Sequence, residues 1–142
     1  MKKNSKISVA LHAVLHMSLR GQKMTSEELA ECLETNPVVV RRILGELKKA
    51  QIVDSEKGHG GGWVLVKNIK SLSFYDIFKS LNETLIPDSI DLKDDNCLVM
   101  RTISNVMDEF LEEAQILLNK KLQKIKFSHL QESVVEHVRT DE

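Results

Sequence analysis

Only two cysteines, Cys32 and Cys97, occur in the 142 residues, too few for a disulfide framework and suited to a reducing cytoplasm. Aromatics make up just 4% of the chain, so any core must be aliphatic, built from Leu, Ile, Val and Met. No apolar run approaches the roughly 18 residues that a membrane span needs. The start, Met1 to Lys6, is basic like that of an export signal. The stretch behind it carries His12, His16 and Arg20 and has no small-residue cleavage site, so export is not expected. A formal net charge of −1 also excludes little until the chain is divided. Residues 1–70 hold 12 Lys and Arg against 7 Asp and Glu, whereas residues 71–142 hold 8 against 14. The first half favours a polyanion and the second would be repelled by one.

Helical periodicity dominates what is present. Ser5 caps a first helix whose stripe is Ile7, Ala10, Leu11, Val14 and Leu15, and Gly21 ends it. Thr25 and Glu28 have the spacing of a capping box ahead of Leu29, Ala30 and Leu33. Asn36 and Pro37 then restart the chain as cap and first helical residue. The third helix runs to about Lys49 and buries Val40, Ile43, Leu44 and Leu47. The period changes at Ile52–Ser55 and Trp63–Val66, two β-favouring runs around a tip with four glycines in five residues. Ser73 caps a helix with Phe74, Ile77, Phe78 and Leu81 on one face. Residues 84–95 are acidic, contain Pro87 and read as a linker. From about Asn96 to Lys126, Val99, Met100, Ile103, Val106, Met107, Phe110, Leu111, Ala114, Leu117, Leu118, Leu122 and Ile125 keep one apolar seam. Ser128 or Gln131 is placed to cap a last short helix carrying Leu130, Val134, Val135 and Val138.

Short helices joined by a tight turn and followed by a β-hairpin form a helix-turn-helix with a wing. The fold expected is mainly α with a small β-hairpin: a winged helix-turn-helix domain plus a long C-terminal dimerisation helix. Its parts are 1–83 for DNA binding, a linker at 84–95, and 96–142 for dimerisation with the short last helix. Opposite its buried side, the third helix presents Val38, Arg42, Gly45 and Lys49, with Arg41 on a flank. Arginine can contact guanine or phosphate, a small apolar group can meet a thymine methyl, and glycine permits close backbone approach. Lys57 and His59 frame the glycine-rich tip, which could follow a minor groove or a phosphate backbone. An ordinary solvated basic helix and a floppy turn are the plainer readings of these two features. The run His59-Gly60-Gly61-Gly62 also matches an esterase oxyanion loop, but no G-x-S-x-G nucleophile elbow accompanies it. No phosphate-binding loop, H-E-x-x-H or recognisable carboxylate pair occurs either, so no enzyme is expected.

Residues 5–83 resemble the Rrf2 family of bacterial winged-helix repressors, the IscR, NsrR and CymR type. The family signature S-x-R-G-x-x-G-G-Y-x-L is similar to Ser55 through Leu65, with Lys57 for Arg and Trp63 for Tyr. Ile43 through Val53 follows I-L-x-x-L-x-x-A-G-L-V, with Gln51 in place of a glycine. The resemblance implies a homodimer held by the long helix, double-stranded operator DNA as ligand and, usually, repression. It implies Val38, Arg41 and Arg42 in the major groove and Lys57, Gly58 and His59 at the wing. Two recognition helices about 34 Å apart would call for an inverted-repeat operator. Ile103, Val106, Met107, Phe110, Leu111, Leu117 and Leu118 are the expected dimer contacts.

Some members hold an iron–sulfur cluster on three cysteines between the two parts. A cluster needs several converging thiolates, and only Cys97 lies in that segment, so no cofactor is expected. Cys97 is either a redox-sensing thiol, its pKa lowered by the helix start but opposed by Asp94 and Asp95, or a small buried apolar residue. Cys32 reads as structural, beside core positions. His12 and His16 stand at i, i+4 and could bind a metal, although no carboxylate or thiolate is adjacent in sequence. The alternative function is a winged-helix dimer serving mainly as a protein-interaction or thiol-based redox module. Neither reading names the effector, small molecule or oxidant.

Overall fold

In the computed structural model, which describes residues 5–90 and 96–142, each of the first four helices begins where a short polar side chain accepts a free amide. Ser5 Oγ accepts the Ser8 amide at 3.1 Å to start α1 (Lys6–Arg20), and Gly21, at φ +66°, closes it. At α2 (Ser26–Leu33) the capping box is complete. Thr25 Oγ1 accepts from the Glu28 amide at 3.1 Å, and Glu28 Oε2 accepts from the Thr25 amide at 2.9 Å. That amide, with Arg20 nearby, holds the Glu28 carboxyl below its ordinary pKa. Asn36 Oδ1 accepts from the Val38 amide at 2.8 Å, and Pro37 opens α3 (Pro37–Lys49). Ser73 and Asp76 form a second box at α4 (Phe74–Ser80).

β1 (Val53–Glu56) and β2 (Gly62–Leu65) pair antiparallel, with Val53 opposite Leu65 and Glu56 opposite Gly62. Both strands lie one residue from the runs expected: β1 gains Glu56, and Gly62 takes the place of Val66. A two-bond bridge ties Trp63 to Met24 just before α2, the Trp63 amide donating at 2.7 Å and the Met24 amide at 3.0 Å. The Trp63 indole donates to Ser26 Oγ at 2.9 Å, satisfying its one polar atom. The hairpin is therefore fixed at its base to the start of α2.

The core lies among α1, α2, α3, α4 and the hairpin, around Val14, Leu29, Val40, Leu44, Leu47 and Ile77. It does not stop at the linker. α5 (Leu98–Lys124) spans about 40 Å at roughly 1.5 Å per residue, and its C-terminal end packs on α4 through Leu118 and Leu122. The last helix, α6 (Phe127–Thr140), differs from the expectation. It is 14 residues long, and Lys126 rather than Ser128 or Gln131 occupies its N-cap, without a side-chain cap. Gln131 instead donates to the Ser18 carbonyl at 2.8 Å. Phe127 is fully buried and tilts against Phe74, ring centroids 5.3 Å apart. Around it the Phe127 amide donates to Leu72 O, and the Phe74 amide to Ile125 O, each at 3.0 Å. The physical reason is simple: α5 ends at Lys124, and the apolar residues beyond it turn back onto the winged-helix core. Residues 91–95, within the expected linker and including Asp94 and Asp95, lie outside the described residues.

Candidate nucleic-acid interface

The tight turn Glu34–Asn36 joins α2 to α3 and carries Glu34 at φ +52°. With Val40, Ile43, Leu44 and Leu47 buried, the opposite side of α3 must face solvent. Val38 is 65% exposed, and Arg41, Arg42 and Lys49 are exposed beside it, with Gly45 half-buried. A Cβ on Gly45 would meet no atom within 4 Å, so the helix surface there is open. At the wing, Lys57, Gly58 and His59 are exposed.

Acidic neighbours sort these cations. Arg41 reaches Glu27 on α2 at 3.3 Å. Lys48 reaches Asp54 at 3.5 Å and Ser55 at 2.8 Å, and Lys23 pairs with Glu56. Among the described residues, no ion pair engages Arg42, Lys49 or Lys57. These three are free to meet phosphates without breaking an existing pair. Surface pairs such as Arg41–Glu27 are worth only about 0–1 kcal/mol, so Arg41 can be released cheaply. A recess of 440 Å³, lined by Glu27, Arg41, Ser55, Lys57 and Trp63 among others, separates the wing from the α2–α3 surface.

The glycines at the tip are structural necessities rather than slack. Gly58 and Gly60 adopt φ +94° and +74°, which L side chains rarely tolerate. A Cβ on Gly61 would lie 2.3 Å from the Glu56 carbonyl oxygen, and one on Gly62 would lie 2.9 Å from Met24 O. The Gly61 amide donates to Gly58 O at 3.0 Å. The turn is thus closed, and it holds Lys57 and His59 at a defined edge.

Sequence reasoning missed the residues that support this surface. Glu27 is solvent-facing and had no periodic role, and Met24 and Ser26 act through the hairpin, far along the chain. The need of the Trp63 indole for an acceptor was the one available signal.

Along α5, Ile103 (45% exposed), Val106 (60%), Phe110 (60%) and Leu117 (57%) leave a large apolar face in water. Leu98, Val99 and Ile116 add to it. Met107 is half-buried, whereas Leu111 is 7% exposed and Leu118 packs on the core, so these two are already covered within one chain. Cys97 is the N-cap residue of α5 and half-buried, with no side-chain cap bond. Cys32, expected beside the core, is exposed on α2 because it follows the solvent face of that helix.

A helix-turn-helix with a closed wing, free cations on both and a long helix behind defines a winged-helix DNA-binding regulator. The family model Rrf2, "Iron-dependent Transcriptional regulator", matches residues 3–133. The chain is 32% identical over 120 residues, 84% of its length, to the candidate HTH-type transcriptional regulator YwnA of Bacillus subtilis, 89% of which is covered. A crystal structure of a candidate DNA-binding protein superposes with a TM-score of 0.73 at 29% identity, covering 89% of this chain and 98% of that one. CymR, the global cysteine regulator of B. subtilis, matches in fold, with a TM-score of 0.67 at 16% identity over 94% and 98% of the two chains. The chain belongs to the Rrf2 family: it is a transcriptional regulator and not an enzyme. No described helix is long and apolar enough to cross a membrane.

The iron dependence in the family description raises the question of a cluster. The donor set does not fit one. Cys32 and Cys97 are the only thiols in the chain, they sit on separate elements, and no group of three or more His, Cys, Asp or Glu converges among the described residues.

Proposed function

We propose that the chain is a repressor that binds an inverted-repeat operator as a homodimer. The observation that carries this reading is the joint surface of α3 and the wing, where Arg42, Lys49 and Lys57 are exposed with no ion pair among the described residues. Val38, Arg41, Arg42, Gly45 and Lys49 enter the major groove. Arg42 reads a guanine edge or its flanking phosphate, and Val38 packs on a thymine methyl. Arg41 leaves Glu27 on binding. Lys57, Gly58 and His59 follow the adjacent backbone or minor groove, and each neutralised phosphate releases counterions.

The apolar face of α5 supports the dimer. Ile103, Val106, Phe110 and Leu117 gain most from a second copy, at roughly 25 cal/mol per Å² of apolar surface removed from water. Leu111 and Leu118 contribute less, being covered in the single chain. Two recognition helices then present themselves about one turn of B-DNA apart, roughly 34 Å.

Mapping the bound sites across the genome supplies the operator, and binding to it tests the reading. Arg42→Glu is expected to cost about 1–3 kcal/mol of operator affinity, and Lys57→Ala to lower the salt slope by about one. If both variants bind like the parent, the recognition surface is elsewhere. A monomer in sedimentation at micromolar concentration refutes the dimer.

A further inference from the structure

The surface of α1 carries a histidine pair that the DNA-binding reading does not use. His12 and His16 stand one turn apart, and their Nε2 atoms approach to 3.0 Å. The ring centroids are 4.7 Å apart, with the planes inclined by 38°. That separation suits a hydrogen bond when one ring carries its proton on Nε2. It equally suits two nitrogens bound side by side to one metal ion. With metal–nitrogen bonds of about 2.05 Å, a 3.0 Å separation gives an N–metal–N angle of about 94°. This is close to the right angle between neighbouring positions of an octahedral or square-planar ion.

We propose that His12 and His16 form a two-histidine site for a divalent first-row transition metal, the Ni²⁺, Cu²⁺ and Zn²⁺ class that imidazole suits. The spacing is set in advance by the helix. α1 is capped at both ends, and its opposite side, Ala10, Ala13, Val14 and Met17, is buried. Chelation therefore orders only two side chains and no backbone. No third His, Cys, Asp or Glu converges on the pair among the described residues. The remaining coordination positions go to water or to an incoming ligand, so the site is open and exchangeable. On binding, the ring that carried its proton on Nε2 passes it through solvent to Nδ1. Both rings are then Nδ1–H tautomers, and the neutral pair releases no net proton. The site lies on a different element from Cys97 and needs no thiolate.

The test is a Zn²⁺ titration of the full-length protein, followed by NMR of ¹⁵N-labelled imidazoles, with electron paramagnetic resonance of the Cu²⁺ form. Both Nε2 resonances are expected to shift together at one equivalent, and the copper spectrum to show two coupled nitrogens. His12→Gln and His16→Gln should each weaken binding by about tenfold or more and remove one nitrogen coupling. His12 is exposed, so its variant remains informative even if the His16 variant folds poorly. A shift at only one ring overturns the proposal. So does wild-type affinity in either variant, which would put the metal on His59, His129 or His137.

Discussion

Phe127 and Phe110 are the same residue type in opposite circumstances, and truncating each to alanine separates two roles of the C-terminal segment. Phe127 is fully buried against Phe74 and lies in the winged-helix core, whereas Phe110 is 60% exposed on α5. Removing a buried phenyl costs about 3–5 kcal/mol through lost transfer energy and the cavity left behind. The tilted contact with Phe74 accounts for about 0.5–1.5 kcal/mol of this. Against a typical stability of about 5–15 kcal/mol, Phe127→Ala removes a fifth or more. Trp63, the single tryptophan, sits in the wing and reports on unfolding of the domain rather than of α6. With a loss of about 4 kcal/mol and a urea m-value of about 2 kcal/mol/M, the middle of the usual range, the Trp63 midpoint should fall by about 2 M, by an amount independent of protein concentration. Phe110→Ala should leave the single-chain fold intact and weaken association, so its loss of stability should be near zero at concentrations where both proteins are monomers and grow to a plateau as concentration rises. Sedimentation velocity would show its dimer dissociating at higher concentration than the parent's. An unchanged Trp63 midpoint in Phe127→Ala would refute the claim that α6 belongs to the DNA-binding core.

Three further outcomes are expected. Gly61→Ala forces a Cβ to within 2.3 Å of the Glu56 carbonyl oxygen and so opens the wing; affinity for duplex DNA by fluorescence anisotropy should fall about tenfold, or ~1.4 kcal/mol, with helix content by circular dichroism preserved. Retained affinity would mean that the wing does not touch DNA. Gln51 is exposed at φ +61°, where a side chain costs about 1–2 kcal/mol and glycine's extra unfolded entropy about 0.5–1 kcal/mol. Gln51→Gly should therefore stabilise the protein by about 0.5–1 kcal/mol in urea unfolding, and a lower midpoint would count against the strained turn. Finally, His16 has its pKa lowered in the fold, so the unfolded chain binds the proton first. The stability tied to this ring is complete above about pH 6.5 and is lost as pH falls through the folded pKa. His16→Gln should flatten that decline, and an unchanged pH profile would remove His16 as its source.

Much of the fold is legible locally. Ser5, Thr25 with Glu28, Asn36 and Ser73 each cap the helix expected of them, because a cap depends on residues within three positions. The buried faces of α2 and α3 follow equally well from a 3.6-residue period. On α1 the face is turned: Val9, Ala13 and Met17 are buried and the expected Leu11 and Leu15 are only half-buried, because contacts with several other elements decide which side of α1 is covered. Reading fails where partners are distant in sequence. Leu111 and Leu122 share one periodic seam with Phe110 and Leu117, yet the first pair is buried in the single chain and the second is not. Periodicity reports that a face is apolar, not which body covers it.

Sequence by itself thus determined the starts of α1 to α4, the hairpin with its glycine-rich tip and the family, since backbone geometry and local hydrogen bonds are encoded in neighbouring residues. Tertiary structure alone decided the rest. It turned Phe127 and α6 back onto the core, and it set Glu27 against Arg41 while leaving Arg42, Lys49 and Lys57 unpaired among the described residues. It also anchored Trp63 to Met24 and Ser26. Each of these joins residues far apart in the chain, and only the packing of whole elements brings such partners within reach.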